Sequence, residues 1–297
     1  MVRAAPILIE AALNGSRSLA EHSGTPIMPH EVAAAAAACF AAGAMVAHIH
    51  ARPGGVPWSL DPEWYADAIR AIQAKATGVL ASLTSIRPIG VPVTSVIELL
   101  KALAVGPGTK PDLVSVNLGH ISVWGPRHGG TTHFPNDYAD VGMLLQGCAE
   151  LGVVPELGVM DLGFVNNAAM VRDAGLLPER PWFLLELDSP GYGFGSQVAP
   201  ATITNYDALA AALRSQFPAA TWAAHGNGRA MFDVIWRAIA TGAHVRVGFE
   251  DGVFMPDGRL ATDNAQQVRW AVEVAAEFKR VPATSAEARE ITGCQPD

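Results

Sequence analysis

Short apolar runs alternate with longer amphipathic stretches along almost the whole sequence, and this rhythm restricts the possible folds more than any other feature. Runs near 6–13, 45–51, 78–84, 112–117, 152–159, 182–188, 220–225 and 243–249 have the length of strands. Patterns near 29–43, 61–75, 93–104, 137–150, 164–175, 204–215, 228–241 and 262–279 read as helices. Several boundaries carry helix signals. Thr25-Pro-Ile-Met-Pro-His-Glu31 leads into an Ala-rich helix, and Asp61-Pro62 puts proline where its missing N–H costs nothing. Asn205 and Thr262-Asp263 mark two later starts, while Gly43 and Gly242 lie just past helix ends. Eight strand-then-helix units in 297 residues predict a (β/α)8 TIM barrel. An open doubly wound sheet is the rival, but no Gly-x-Gly-x-x-Gly follows the first strand.

Neither a linker, a charge run nor an internal repeat interrupts the pattern, which predicts one domain over 1–297. The loops at 118–136 and 188–202 are long, and at a barrel's C-terminal face they would shape a substrate pocket. A net charge of −8 leaves no basic face for nucleic acid and no polybasic membrane signal. The first residues lack the apolar core of a secretory signal, and no apolar stretch reaches the roughly 20 residues that span a bilayer. Cys39, Cys148 and Cys294 are odd in number and widely spaced, so a reduced cytoplasmic protein is expected.

Candidate functional residues fall at the C-terminal ends of the predicted strands, where barrel enzymes keep their active sites. His48 and His50, at i and i+2, share one face of a strand. With the carboxylate of Glu250 they form a donor set suited to catalytic zinc with one position open. Asn14, Thr84, Ser85, Ser115, Asn117, Glu156, Arg246 and Asp251 end other strands. A lone strand-end Ser or Asn is ordinarily a turn residue, but polar groups at so many strand ends call for partners or a ligand. His225 competes with Glu250 as third ligand; His120 could line the pocket; His244, at the opposite face, reads as structural. His22, His30, His128 and His133 lie in predicted loops, exposed to solvent by default. Gly226-Asn-Gly228 could seat an anion on a helix N-terminus or simply make a tight turn.

At these residues the chain resembles the β-keto acid cleavage enzyme family over nearly its whole length. The shared blocks are Ala11-Ala-Leu-Asn-Gly15, His48-Ile-His50-Ala-Arg52, Ser115-Val-Asn117-Leu-Gly119, Val153-Val-Pro-Glu156, Gly242-Ala-His-Val-Arg246-Val-Gly-Phe-Glu250-Asp251 and Asn264-Ala-Gln266. The resemblance implies a zinc-binding barrel, usually a homotetramer, that condenses a β-keto acid with acetyl-CoA. The products would be acetoacetate and the CoA thioester of the shortened acid. It also implies His48, His50 and Glu250 as zinc ligands and Arg246 with Asp251 as the catalytic pair. Thr84, which replaces a serine, falls with Ser115 and Asn117 where the family binds the carboxylate or carbonyl, and Glu156 matches a pocket glutamate. Arg17 stands where members acting on an aminohexanoate carry a glutamate, which implies a neutral or acidic substrate here. Rival readings are a zinc hydrolase or aldolase, neither dependent on CoA, and a non-catalytic barrel that binds a metabolite.

Overall fold

Eight parallel strands close on themselves into a barrel, with helices packed around the outside. The computed structural model describes residues 5–125, 130–188 and 198–295. The first half comprises β1 (Ala5–Ile7), β2 (Ile9–Ala12), α1 (Pro29–Ala42), β3 (Val46–Ile49), α2 (Pro62–Lys75), β4 (Leu80–Leu83), α3 (Thr94–Val105) and β5 (Leu113–Asn117). A hairpin of β6 (Ile121–Gly125) and β7 (Gly130–Phe134) precedes α4 (Tyr138–Leu151), β8 (Val154–Val159), α5 (Leu162–Asp173), β9 (Trp182–Leu187) and α6 (Ile203–Gln216). The chain continues through β10 (Thr221–Gly226), α7 (Met231–Ala240), β11 (His244–Val247), α8 (Asn264–Glu277), β12 (Arg280–Pro282) and α9 (Ser285–Thr292). Around the barrel the order is β10, β11, β2, β3, β4, β5, β8, β9.

The barrel interior is layered. Leu8, Val46, Leu80, Leu113, Trp182, Leu184 and Ala223 form an apolar cluster in its lower part. Ala288 and Cys294, on and just after α9, join that cluster and close the bottom. Two residues further along each strand, the same inward rows carry Glu10, His48, Ser82, Ser115, Glu186 and His225, with Arg246 beside them on β11, because every second residue faces the same way. The mouth at the C-terminal strand ends is therefore polar above an apolar plug. A second, larger apolar layer lies between the barrel and its helices.

Asp61 and Asp263 cap α2 and α8 as expected, and Gly43 ends α1 with φ 117°. Asn205 is not the cap of α6: Thr202 accepts its backbone N–H at 3.2 Å, so the helix starts earlier. The first apolar run is split. β1 leaves the barrel to pair with β12, while β2 enters it. Part of the predicted loop 118–136 is the β6–β7 hairpin, and β12 and α9 follow the last predicted helix. His128 and most of the predicted loop 188–202 lie outside the described residues. The three cysteines are buried and free. Among the described residues no helix is long and apolar enough to cross a membrane.

Candidate active site

His48 ends the inward row of β3, and His50 follows two positions later on the same side. Their Nε2 atoms lie 3.2 Å apart. Glu250, just past β11, places its carboxylate oxygens 3.2 Å from His50 Nε2 and 3.8 Å from His48 Nε2. Tetrahedral zinc with bonds of about 2.0–2.2 Å has ligand–ligand edges of about 3.3–3.6 Å, so this donor set fits such an ion. Glu250 Oε2 is buried without a hydrogen-bond partner among the described residues, as expected of an atom reserved for a cation. Burial opposes the Glu250 carboxylate, yet Arg246 and the two imidazoles hold it well below the usual carboxylate range. Burial pushes His48 well below its ordinary value, giving the neutral ring that ligation requires.

The surroundings position these three candidate donors. Ser82 Oγ lies 2.9 Å from His48 Nδ1, leaving Nε2 for the mouth. Asn14 clamps the backbone of His50 from both sides: its Oδ1 accepts the His50 N–H at 3.0 Å, and its Nδ2 donates to the His50 carbonyl at 3.1 Å. Gly15, at φ 48°, passes so close to Glu250 that a Cβ there would stand 2.4 Å from Glu250 Cγ. Arg17 donates to the Phe249 and Glu250 carbonyls at 3.0 and 2.7 Å and to Glu21 at 2.7 Å. It therefore straps the loop that carries Glu250.

Beside the triad, Arg246 grips Asp251 through two hydrogen bonds, Nε to Oδ2 at 3.0 Å and Nη2 to Oδ1 at 2.9 Å. Nη2 also donates to Glu250 at 2.7 Å, so one guanidinium orients two neighbouring carboxylates together. Below them Glu10 and Glu156 share the barrel interior, with the Trp182 indole donating to Glu156 at 2.9 Å. Burial, and then the Glu156 charge, push Glu10 well above the usual carboxylate range. Across the mouth the His225 ring lies between Asp251 Oδ1, 3.4 Å from Nδ1, and Glu186 Oε2, 3.7 Å from Nε2. Burial lowers the pKa of His225, but these carboxylates outweigh it and the net shift is upward.

A cleft opens between the two groups. Thr84, Ser115 and Asn117 line one wall. The Thr84 and Ser115 hydroxyls accept the Ile86 and Ser85 backbone N–H groups at 3.0 and 3.2 Å, which leaves both O–H groups available as donors. Trp58 stands at the rim with φ 62°, edge-on to Phe134 at a centroid distance of 5.4 Å.

The model of the family described as beta-keto acid cleavage enzyme matches residues 6–294. The chain belongs to that family. It is 28% identical over 286 residues to a 3-keto-5-aminohexanoate cleavage enzyme of Fusobacterium nucleatum, covering 96% of this chain and 97% of the relative. A 3,5-dioxohexanoate:acetyl-CoA acetone transferase of Paraburkholderia graminis is 27% identical over 285 residues, covering 90% and 88%. Among solved structures, apo ObcA superposes with a TM-score of 0.70 at 17% identity, a likeness of fold. The match spans 91% of this chain and 65% of ObcA.

For a β-keto acid cleavage enzyme, the sequence and the structure agree on most of the mouth. His48, His50, Arg17, Thr84, Ser115, Asn117, Arg246, Glu250 and Asp251 line the same cleft. Three candidates lie behind it. Asn14 is the backbone clamp, Ser85 is buried with its N–H on Ser115, and Glu156 sits fully buried beneath the floor. His225 reaches the cleft on the side of Asp251 and outside the His48–His50–Glu250 cluster. His120 is exposed and stacks on His133 at 5.2 Å. His22 is half-buried, 2.7 Å from the Ala261 carbonyl and against Phe249. The glycines of Gly226-Asn-Gly228 make a tight turn, in which the N–H groups of Asn227 and Gly228 donate to the Leu187 and Asp251 carbonyls. Sequence reasoning missed Ser82 and Glu186; each is a polar residue on the inward row of an apolar strand, and period-two alternation points to both.

Proposed function

We propose that the chain is a zinc-dependent enzyme that condenses a β-keto acid with acetyl-CoA and releases acetoacetate and a shortened acyl-CoA. The observation that carries this reading is the single guanidinium of Arg246 holding Glu250, in the metal triad, and Asp251, outside it, at one end of the cleft. Zinc held by His48, His50 and Glu250 would supply Lewis acidity at the ketone oxygen. Asp251 takes a proton from the CH2 between ketone and carboxylate, with Arg246 aiming it. Thr84, Ser115 and Asn117 donate to the substrate carboxylate. The carbanion attacks the acetyl thioester and expels thiolate, the thiolate attacks the ketone carbon, and the C–C bond breaks. Asp251 then returns its proton to the departing acetoacetate carbanion.

The named relatives act on an amino-substituted and a dioxo substrate, so the tail is where members differ. Arg17 places a guanidinium on the cleft wall, which disfavours a cationic tail and suits a neutral or acidic one. Because Arg17 also straps the Glu250 loop, Arg17→Glu tests charge preference only if zinc content is unchanged. With zinc content retained, an unaltered preference among cationic, neutral and anionic substrates would overturn this part. The reading carries with it a homotetramer in the cytoplasm, checked by light scattering and fractionation.

The test is acetoacetate release by the zinc-loaded protein from a panel of β-keto acids, with and without acetyl-CoA. Release should require acetyl-CoA and fall at least about 100-fold in Asp251→Asn, the scale on which a positioned general base contributes. Equal product without acetyl-CoA would move the assignment to a hydrolase or aldolase.

A further inference from the structure

We infer that His225, oriented by Glu186, is a catalytic residue that receives the acetyl thioester and donates a hydrogen bond to its carbonyl oxygen. The inference rests on the acyl-transfer reading above and identifies what that reading lacks, a donor for the second carbonyl.

The metal triad occupies the ends of β3 and β11, and Thr84, Ser115 and Asn117 occupy β4 and β5. Asp251 deprotonates a carbon between ketone and carboxylate, and the thioester must then meet that same carbon. On one side of Asp251 lies the adjoining pair β9 and β10, which carries Glu186 and His225.

Arg246 cannot serve as the donor, since its Nε and Nη2 already bond Asp251 and Glu250 and its Nη1 lies 3.6 Å from Glu10. Asn227 directs its amide to Asp188 at 3.0 Å. His225 differs from both. Its side chain is 3% exposed, and neither ring nitrogen has a hydrogen-bond partner among the described residues. Its ring nitrogens meet only the longer ion-pair contacts to Asp251 at 3.4 Å and Glu186 at 3.7 Å, so an N–H remains able to turn to a ligand.

The neighbours let Glu186 stand beside the ring. A Cβ at Gly158, between the β5 and β9 rows, would come 2.3 Å from Glu186 Oε1 and 2.5 Å from Asn117 Oδ1, so glycine there leaves space for both side chains. Glu186 faces Nε2, and Nδ1 faces the side of Asp251. When the carbanion forms its bond to the thioester carbon, the carbonyl π pair moves onto oxygen, where His225 stabilises it. Collapse re-forms the C=O bond and breaks C–S, and the thiolate leaves with that pair. No proton passes to or from His225 in this step.

Two half-reactions separate this role from a merely structural one. Deuterium uptake at C2 of 3-oxopentanoate without acetyl-CoA reads zinc and Asp251 alone. Acetoacetate formation with acetyl-CoA reads the thioester step as well. In the zinc-loaded protein, His225→Leu should lose acetoacetate formation by about 10^2–10^3-fold and lose far less of the C2 exchange. His225→Asn, which keeps a donor, should recover part of that loss, and it serves if the leucine variant does not fold.

Transfer undiminished in both variants overturns the proposal. So do exchange and transfer falling by the same factor with zinc content intact, which would make His225 a support for Asp251. If the wild-type protein neither exchanges C2 hydrogen nor transfers acetyl groups, the underlying reading falls and this inference with it.

Discussion

Gly15 and Gly248 both lie where a side chain has no room, and an alanine at each should fail differently. At Gly15 the new Cβ meets the flexible Glu250 side chain at 2.4 Å. At Gly248, φ 147°, it meets the rigid backbone of β2, 2.1 Å from the Ala12 carbonyl oxygen. Gly15→Ala should displace Glu250 and, at the proposed zinc site, weaken metal binding by about 10–100-fold, the range seen when ligand support is lost, with a smaller change in Tm. Gly248→Ala strains the β2–β11 contact and should lower the urea midpoint by an amount equal to about 1–3 kcal/mol. Chelator competition and urea unfolding on both variants check the contrast; equal loss of zinc affinity in the two would contradict it. The glycines themselves were legible only as letters. Two histidines at i, i+2 announce a site, whereas Ser82 and Glu186 each look like one polar exception in an apolar strand. Only closure of the barrel shows which strand faces point inward together.

The eight barrel strands and eight of the nine described helices follow the apolar rhythm of the sequence, because a buried strand and an amphipathic helix each impose a period. What the rhythm leaves out are pieces held by tertiary contacts. β12 is three residues long and exists by pairing with β1, and α9 is held by Ser285 on the Gly78 carbonyl and by Ile291 accepting from Thr221. The start of α6 was misplaced by a local ambiguity: Thr202 and Asn205 are both good caps, and Asn205 instead donates its amide to the Pro200 carbonyl. Element junctions also build the site. Asn264, the first residue of α8, accepts the Phe249 N–H at 2.8 Å and donates to the Leu13 carbonyl at 3.2 Å, tying two loops of the mouth to one helix. Asn264→Ala orphans the buried Phe249 N–H and should cost about 1–3 kcal/mol in urea unfolding. Asn264→Asp retains the acceptor and should lose less. A cost below about 0.5 kcal/mol for the alanine variant would show that water replaces the amide.

At the scale of the whole molecule, the face opposite the active site carries the closure of the barrel. β1 pairs with β12, and at the step from β1 to β2 the Leu8 N–H donates to His244 Nδ1 at 3.0 Å, joining the first and last barrel strands. Arg280 extends the same seam, donating to the Pro6 carbonyl at 3.0 Å and to the Ala243 carbonyl. A ring nitrogen that accepts a backbone N–H must be unprotonated, which agrees with His244 being pushed down to about 3 by burial and by Arg280. In the unfolded chain the same imidazole titrates near its ordinary value of about 6.5. Below that pH the unfolded state takes up a proton that the folded state refuses. The stability tied to His244 is therefore complete above about pH 6.5 and declines as pH falls toward 3. Between pH 6.5 and 4.5 the linked loss is on the order of 2–3 kcal/mol, at 1.36 kcal/mol per unit. Carboxylates titrate in the lower part of this window, so the informative quantity is a difference between two proteins. His244→Asn can still accept from Leu8 but has no proton to gain. Its unfolding free energy in urea should fall less than that of the wild type between pH 7 and 4.5, by roughly that margin. Parallel pH profiles for the two proteins would mean that the seam opens locally and admits the proton before the barrel unfolds.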